Sequence, residues 1–212
     1  MTGGYHAARH TFDPRRDAVW RALVRHHFAR GIGADDCVLD LGCGYGGFIN
    51  HVTARRRIGL DVWPGMAAYL APGVEPIVAR LPDLAAVEDG SIDFAFASNV
   101  FEHLPQDDVA ETLLALRAKL SPRGILTAMQ PNYRYAARAY YDDYTHVSVW
   151  SHVGLADFLA AHDYEVLQVV PRFLPLTLKT WPLASPALVR LYLAAPFKPF
   201  AGQMLIKARP RG

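Results

Sequence analysis

The sequence is poor in cysteine and has no long apolar run. Cys37 and Cys43 are its only two cysteines, and their spacing gives neither a disulfide framework nor a Cys-x-x-Cys metal pair. No stretch reaches the ~18 uninterrupted apolar residues of a membrane-spanning helix. The first 20 residues contain Arg and Asp and lack the apolar run of a secretory signal. We therefore expect a cytoplasmic protein without a transmembrane segment.

Net charge is also small. The chain has 22 Lys and Arg against 20 Asp and Glu, a formal charge of +2. This balance disfavours a general nucleic-acid binder, because such proteins carry a strongly basic surface. Hydrophobic residues make up 51% of the chain and charged residues 20%, which excludes a disordered protein. The length of 212 residues suits one sizeable core, so we expect a single domain over residues 1–212.

Acidic residues are absent from the C-terminal part of the chain. Residues 171–212 contain seven Lys or Arg and no Asp or Glu, so the total of +2 leaves −5 for residues 1–170. The basic segment is also apolar and rich in proline, which leaves two interpretations. It packs on the core with its cations exposed, or it forms a surface for anionic lipid or a phosphorylated substrate. Peripheral membrane contact through residues 171–200 is therefore one prediction.

Apolar periodicity predicts strands and helices in alternation. The predicted strands are 37–42, 57–62, 75–79, 92–98, 124–129, 164–170 and 203–208. The predicted helices are 15–30, 46–54, a short one after Pro64, 107–120 and 151–162. Such alternation predicts an α/β fold of the Rossmann-like, doubly wound kind, with a seven-stranded and mostly parallel sheet. Ligands of such sheets bind beyond the carboxyl ends of the strands.

Two segments are expected to lie outside the regular alternation. Residues 1–34 are expected to form an N-terminal helical cap. Residues 171–202 are expected to form a helical, proline-rich insertion between the last two strands, because a long unstructured loop is uncommon in a compact domain. We expect this insertion to act as a cap or as the subunit contact of a homodimer.

A glycine-rich turn after the first predicted strand is the strongest local signal. It reads Asp40-Leu41-Gly42-Cys43-Gly44-Tyr45-Gly46-Gly47, which contains the pattern Gly-x-Gly-x-x-Gly. Asp61 follows at the end of the second predicted strand, where a carboxylate can bind both hydroxyls of a ribose. These features alone suit NAD. Asp40 favours S-adenosylmethionine, because a carboxylate here repels a pyrophosphate and attracts a cationic amino acid group.

At these motifs the chain resembles the class I S-adenosylmethionine-dependent methyltransferases over most of its length. The resemblance is carried by VLDLGCGYGGF (38–48), GLDV (59–62), DGSIDFAFASNVFEHLP (89–105) and LSPRGILTAMQPN (120–132). The stretches SNVFEHLP, MQPNYRY, YYDDYTH and PRFLP are similar to a bacterial subgroup associated with glycan and secondary-metabolite pathways. The resemblance implies methyl transfer to a small-molecule acceptor, a hydroxyl of a sugar or natural product, with S-adenosylhomocysteine as the other product.

The resemblance also implies a set of cofactor contacts. The implied cofactor-binding residues are Asp40, Gly42, Cys43, Gly44, Tyr45, Gly46, Asp61, Val62, Trp63, Asp83, Ser98 and Asn99. The carboxylate and glycines of the first turn would line the methionine end, and Asp61 would bind the ribose. The two residues after Asp61 would pack near the adenine, and Ser98 and Asn99 would border the sulfonium. Asp83 or a backbone group would contact the adenine amine.

Methyl transfer to an alcohol needs a base that works near neutral pH, and histidine suits that task. His146 and His103 are the candidate catalytic residues, because they follow the fifth and the fourth predicted strands; the alternative for His103 is a hydrogen bond to a backbone carbonyl. Thr145 stands where relatives carry Asp, so a carboxylate that orients His146 would be Asp142 or Asp143. These two adjacent carboxylates also suggest Mg²⁺, but no third ligand is evident and we predict no metal.

Three functions therefore compete at this point. The first is a methyltransferase acting on a small molecule. The second is an NAD-linked oxidoreductase, supported by the glycine pattern and Asp61. The third is a non-catalytic module that keeps the cofactor fold for binding or assembly and docks through residues 171–200.

Overall fold

The structure is a computed structural model that describes residues 12–176 and 186–211. In this part of the chain the α-helices are α1 Pro14–His26, α2 Gln106–Lys119, α3 Tyr133–Tyr140, α4 His152–Ala161 and α5 Pro186–Ala194. Its strands are β1 Cys37–Leu41, β2 Arg56–Asp61, β3 Val74–Val78, β4 Ile92–Ser98, β5 Leu120–Pro131, β6 Tyr164–Pro175 and β7 Ala201–Pro210. Short 3₁₀ helices are Phe28–Gly31, Ile49–His51, Pro64–Ala68 and Phe101–His103. No described helix is long and apolar enough to cross a membrane.

The strands form one seven-stranded sheet in the order β3-β2-β1-β4-β5-β7-β6. β1 pairs parallel with β2, β2 with β3 and β4 with β5. β7 runs antiparallel to both β5 and β6. The expected Rossmann-like α/β fold with a mostly parallel sheet is thus confirmed.

The chain divides into two compact units. Among the described residues, the first unit contains 12–79 and 186–197, and the second contains 80–176 and 198–211. β1 of the first unit is buried along its whole length, as expected for a strand covered on both faces. β4 of the second unit is also buried at most of its positions, for the same reason, and its buried side chains include Phe94 and Phe96. The single domain predicted over residues 1–212 stays a prediction.

The start of helix α1 in the first unit follows from its local sequence. Pro14 occupies its first turn, and the side chain of Asp13 accepts a hydrogen bond from the backbone N–H of Arg15. Trp20 and Leu23 are among the residues that it buries. The helix ends at His26, earlier than the predicted limit at residue 30, and a 3₁₀ turn follows it.

The helix predicted over residues 46–54 is wrong. The structure has a series of turns there and one 3₁₀ helix, Ile49–His51. Gly46 adopts φ 72°, outside the right-handed helical region, so an α-helix cannot begin at this residue. The short helix predicted after Pro64 is likewise a 3₁₀ helix, Pro64–Ala68.

The C-terminal elements differ from their predicted limits in length. β6 extends to Pro175 and β7 begins at Ala201, so residues 171–175 and 201–202 of the predicted insertion belong to strands. The helical piece expected between the two strands is α5. Residues 177–185 lie outside the described part of the chain, as do residues 1–11 of the predicted N-terminal cap.

Candidate active site

The turn after β1 presents its backbone to a ligand. Gly42, Gly44 and Gly46 have φ of 68°, 52° and 72°, a region that glycine adopts without a steric penalty. The N–H groups of Gly42 and Cys43 donate to the carbonyl of Leu60, at 2.8 and 3.0 Å, which ties the turn to β2. A Cβ at Gly44 would meet no other atom within 4 Å, so a ligand can approach the main chain here closely.

Asp61 at the end of β2 holds this turn in place. Its Oδ2 accepts a hydrogen bond from the N–H of Gly44 at 2.9 Å, and its Oδ1 accepts one from the N–H of Trp63 at 2.8 Å. Each carboxylate oxygen has a second lone pair. Asp61 can therefore bind a diol while it keeps both backbone contacts.

Asp40 and Asp61 are two carboxyl groups close enough to influence each other electrostatically. Asp40 is only 3% exposed, and burial together with the charge of Asp61 raises the pKa of its carboxyl, an effect that the backbone N–H of Ile49 only partly opposes. No Lys, Arg or His in residues 12–176 and 186–211 forms an ion pair with either carboxylate. A cationic ligand would stabilise this pair, whereas a pyrophosphate would be repelled.

Four aromatic rings of the first unit pack together around Tyr45 and Tyr69. The ring of Tyr45 lies 5.0 Å from Trp63 and 4.6 Å from Tyr69, measured between centroids. Phe12 stacks on Tyr69 at 5.7 Å. Sequence reasoning selected Tyr45 and Trp63 but missed Tyr69 and Phe12, because neither stands in a motif.

Three other predicted cofactor residues of the first unit have different surroundings. The Sγ of Cys43 is buried 3.3 Å from the Sδ of Met66, so its side chain packs in the interior and only its backbone lies in the turn. A Cβ at Gly46 would lie 2.6 Å from the side chain of Asn50, which makes glycine necessary there. Val62 is partly exposed between Asp61 and Trp63.

The predicted cofactor residues of the second unit lie at two places. Ser98 ends β4, and Asn99 follows with φ 54°, its N–H donating to the carbonyl of Met129 at 2.8 Å. Asp83 is exposed, and its Oδ1 accepts a hydrogen bond from the N–H of Ala85 at 3.0 Å, as in a local turn. Contact of Asp83 with an adenine stays a prediction.

Both candidate histidines belong to one cluster of the second unit. His103 lies in the 3₁₀ helix after β4, and the rings of His103 and His146 lie 4.8 Å apart between centroids. Two backbone hydrogen bonds join the segments: the N–H groups of Val147 and Ser148 donate to the carbonyl of Glu102, at 2.9 and 3.2 Å. The sequence alone does not indicate this contact, because 42 residues separate His103 from Thr145, the residue directly before His146.

Further side-chain bonds fix the returning segment. The hydroxyl of Tyr140, on α3, donates to the carbonyl of Ser148 at 2.7 Å. The indole N–H of Trp150 donates to the carbonyl of Phe101 at 3.1 Å. The cluster is therefore held by groups that are themselves buried.

A carboxylate, Asp143, orients His103 through the hydroxyl of Thr145. Thr145 Oγ1 donates its only proton to Oδ1 of Asp143 at 2.6 Å and lies 3.0 Å from Nδ1 of His103. The hydroxyl can therefore only accept from His103, so Nδ1 carries the proton and Nε2 keeps the lone pair. The carbonyl of Thr145, 3.3 Å from the same Nδ1, favours this tautomer too. Burial and His146 lower the pKa of His103 to about 4, so its ring is neutral near pH 7.

Glu102 completes the cluster and was missed in the sequence. Its side chain is 0% exposed, and neither carboxylate oxygen accepts a hydrogen bond of normal geometry from the described residues. Burial raises its pKa to about 8, an effect that its own backbone N–H only partly offsets and Asp143 reinforces. The signal available in the sequence was a Glu directly beside His103 after a buried strand.

Comparison with known proteins decides the family. A family described as "Methyltransferase domain" matches residues 12–169, which is more than half of the chain. The chain belongs to this methyltransferase family. No curated protein matches the chain significantly.

Solved structures share the fold of this methyltransferase. An S-adenosylmethionine-dependent methyltransferase from Archaeoglobus fulgidus is 19% identical, with TM-score 0.68 and coverage of 97% of each chain. A Haloferax volcanii methyltransferase, solved with the Trm112 activator, is also 19% identical, with TM-score 0.68 and coverage of 94% and 92%. Geranyl diphosphate C-methyltransferase from Streptomyces coelicolor A3(2) is 14% identical, with TM-score 0.59 and coverage of 91% and 77%.

The first unit of the methyltransferase fits its cofactor, S-adenosylmethionine. The ligand carries an α-ammonium group and a sulfonium, whose positive charges suit the carboxyl groups of Asp40 and Asp61, and it has no phosphate. It also has a ribose diol, for which Asp61 retains two lone pairs. The open backbone at Gly44 allows the close approach that this binding needs.

Proposed function

We propose that this methyltransferase methylates a hydroxyl group of a small molecule, a sugar or another natural product. S-adenosylmethionine, when bound, supplies a methyl group on a positively charged sulfur. The residues of the chain have to orient the acceptor oxygen and take its proton. The observation that carries the proposal is His103, whose imidazole is neutral and has its lone pair on Nε2.

His103 is the better candidate base of the two histidines. Its Nδ1 proton is held by Thr145, and Asp143 behind Thr145 stabilises the positive charge that forms when Nε2 accepts a proton. The low pKa of His103 makes it available at neutral pH but weak as a base. His146 lies against Tyr140 and His103, where it can position the acceptor oxygen or share its proton.

The cofactor side is tested by binding. We expect S-adenosylhomocysteine to bind in calorimetry and NAD⁺ to give no signal under the same conditions. Asp61→Ala should weaken binding roughly 10- to 100-fold, because hydrogen bonds to a charged group contribute about 1.5–3 kcal/mol. Glu111→Ala, which removes an exposed carboxylate on α2, is the matched control and should bind as the wild type does.

Two results would contradict this part of the proposal. Unchanged affinity in Asp61→Ala would place the ribose elsewhere. Binding of NAD⁺ in place of S-adenosylhomocysteine would restore the oxidoreductase hypothesis, which at present rests only on the glycine pattern. Cofactor binding without methyl release from any pool of sugars and natural products would favour the non-catalytic module.

The basic and apolar segment of residues 171–200 contains the surface through which we propose peripheral membrane contact. In α5, Leu188 and Leu191 are 40% and 67% exposed beside exposed Arg190, and Phe197 after the helix is 71% exposed. We propose peripheral contact of this face with anionic lipid, and a homodimer contact is the alternative for the same face. A cytoplasmic location belongs to the proposal as well, and its support is that both cysteines are buried thiols.

A further inference from the structure

We propose that Glu102, His103 and His146 form a binding site for a divalent first-row transition metal ion. One ligand atom from each residue lies within 4.8 Å of the other two. Metal–ligand bonds of about 2.0–2.2 Å place such atoms roughly 3–4.3 Å apart. A contraction of about half an ångström therefore brings the three groups into coordination distance, which rotations of the side chains can supply. This set differs from the adjacent carboxylates that suggested Mg²⁺ in the sequence.

The side chain of Glu102 is the observation that points to a cation. It is fully buried, and its oxygens accept no hydrogen bond of normal geometry from the described residues. A buried carboxyl group without a partner costs several kcal/mol in typical proteins unless a charge compensates it. Two imidazoles lie beside this carboxyl group, and a metal ion is the ligand that binds all three groups at once.

His103 already has the second contact that metal-binding histidines show. Such residues usually donate their other ring N–H to an oxygen, which fixes the tautomer and the ring orientation. Here Nδ1 of His103 donates to Thr145, whose hydroxyl is held in turn by Asp143. This leaves Nε2 as the nitrogen that can bind the ion.

The backbone keeps the three ligands in place. Glu102 and His103 are neighbours in a 3₁₀ helix, and the carbonyl of Glu102 accepts two hydrogen bonds from the residues directly after His146. The indole of Trp150 adds a third bond to the same helix. The ligand set is therefore built into the second unit and not assembled from mobile surface groups.

The donor set selects the class of ion. Two imidazole nitrogens and one carboxylate suit Zn²⁺, Fe²⁺, Co²⁺ or Mn²⁺, whereas Mg²⁺ and Ca²⁺ prefer oxygen ligands. Three protein ligands leave coordination positions open for other oxygens. If the proposed function holds, a hydroxyl of the acceptor occupies such a position, where a metal ion lowers the pKa of the oxygen that it binds. The ion would then replace His103 as the group that activates the acceptor.

The test is metal binding to the full-length protein, which needs no acceptor. Protein treated with chelator and dialysed is titrated with Co²⁺, followed by visible absorption, and with Zn²⁺, followed by calorimetry. We expect one ion per chain and the absorption bands of Co²⁺ bound by nitrogen and oxygen. Glu102→Gln and His146→Ala should weaken binding at least 10-fold, whereas His162→Ala, which removes a histidine of another segment, should not.

A milder pair of variants separates metal binding from folding. Thr145→Val removes the hydroxyl that orients His103 and should weaken Co²⁺ binding roughly 10- to 100-fold, the usual effect of such an outer contact. Thr145→Ser keeps the hydroxyl and should bind nearly as the wild type does. Unchanged binding of S-adenosylhomocysteine, which is proposed to involve Asp40 and Asp61 of the first unit, would show that each variant is folded.

The outcomes distinguish the metal site from the proposed function. Absence of Co²⁺ binding, or binding unaffected by Glu102→Gln and His146→Ala, would overturn the metal site. The proposed function would still stand, because it needs only His103 as the base in methyl transfer. One bound ion together with methyl transfer that chelator abolishes and Zn²⁺ or Co²⁺ restores would support both. A bound ion with methyl transfer indifferent to chelator would support the site and refute its role toward the acceptor.

Discussion

Asp40 is a residue at which stability and cofactor binding have opposite requirements. Its carboxyl group is buried beside Asp61, and its pKa is raised above the ordinary value of 3.8. The folded protein therefore holds this proton more tightly than the unfolded chain does. As the pH rises from about 4 towards neutrality, the unfolded chain ionises first, and the unliganded protein loses stability through this group. A bound cation would restore that loss.

The substitution Asp40→Asn tests this linkage. We expect the variant without ligand to have a higher midpoint of thermal unfolding than the wild type at pH 8, and a smaller difference at pH 5.5, because the charge penalty is gone. Its affinity for S-adenosylhomocysteine should fall roughly 10- to 100-fold through loss of a charged hydrogen-bond acceptor. A variant that is less stable at pH 8 and binds the ligand normally would contradict this account. Asp107→Asn, at an exposed position in the first turn of α2, serves as the control.

The sequence was informative at residues whose neighbours are local and uninformative where they are distant. Asp40, Gly44 and Asp61 could be selected because each stands at a fixed place beside a predicted strand. Glu102 could not, since the segment of His146 is joined to it by backbone bonds between two segments that are far apart in the chain. The same holds for Thr145. In the sequence it stands where relatives carry Asp, but in the structure its hydroxyl links the carboxylate of Asp143 to the ring of His103.

At the scale of elements, the turn after β1 explains why one predicted helix is absent. Residues 46–54 contain two glycines and the β-branched residues Ile49, Val52 and Thr53, all of which lower helix propensity. Side-chain hydrogen bonds hold this segment in place of a helix. The side chain of Asn50 donates to the carbonyl of Tyr69 at 2.9 Å and accepts from the N–H of Ala71 at 2.8 Å. Apolar periodicity predicted the buried positions but not these side-chain bonds.

Strand lengths at the other end of the sheet were underestimated for a related reason. β6 continues beyond the alternating apolar pattern because Leu174 and Pro175 pair with residues of β7. Prolines usually end a strand prediction, but β6 lies at the edge of the sheet, where a missing N–H is tolerated. Pairing between strands therefore determines limits that local sequence leaves open.

The outer face of α5 carries the prediction of membrane contact. Exposed Leu188 and Leu191 are one helical turn apart, and exposed Arg190 supplies a cation beside them. We expect the protein to cosediment with vesicles that contain phosphatidylserine at low salt and not with neutral vesicles. Leu191→Glu should abolish this binding.

A matched leucine provides the control for that experiment. Leu114 on α2 is 68% exposed, nearly the same as 67% for Leu191, and it lies outside the basic segment. Leu114→Glu should therefore leave vesicle binding unchanged. If neither variant matters and the wild type does not sediment, lipid contact is refuted; a dimer in size-exclusion chromatography that Leu191→Glu dissociates would then assign the face to a second copy of the chain.

At the scale of the whole molecule, the chain connectivity makes the single-domain prediction testable. Each unit is discontinuous in sequence, because the chain crosses between the two units after residues 79, 176 and 197. Separate domains usually consist of continuous segments joined by a linker. Two units connected three times have no such linker, so neither can be removed by one cut. We therefore expect the units to unfold together.

Calorimetric unfolding with and without S-adenosylhomocysteine distinguishes the two possibilities. One domain gives a single transition whose calorimetric and van't Hoff enthalpies agree. Ligand at about 100 times its dissociation constant stabilises by ~2.7 kcal/mol, which for a chain of this size raises the whole transition by roughly 5–10 °C. Two independent units would give two transitions, of which the ligand shifts most the one that contains Asp40 and Asp61. Asp40 and Asp61 belong to the first unit, and the proposed metal site around Glu102 belongs to the second. A single transition would therefore also mean that S-adenosylhomocysteine and the metal ion each stabilise the site of the other.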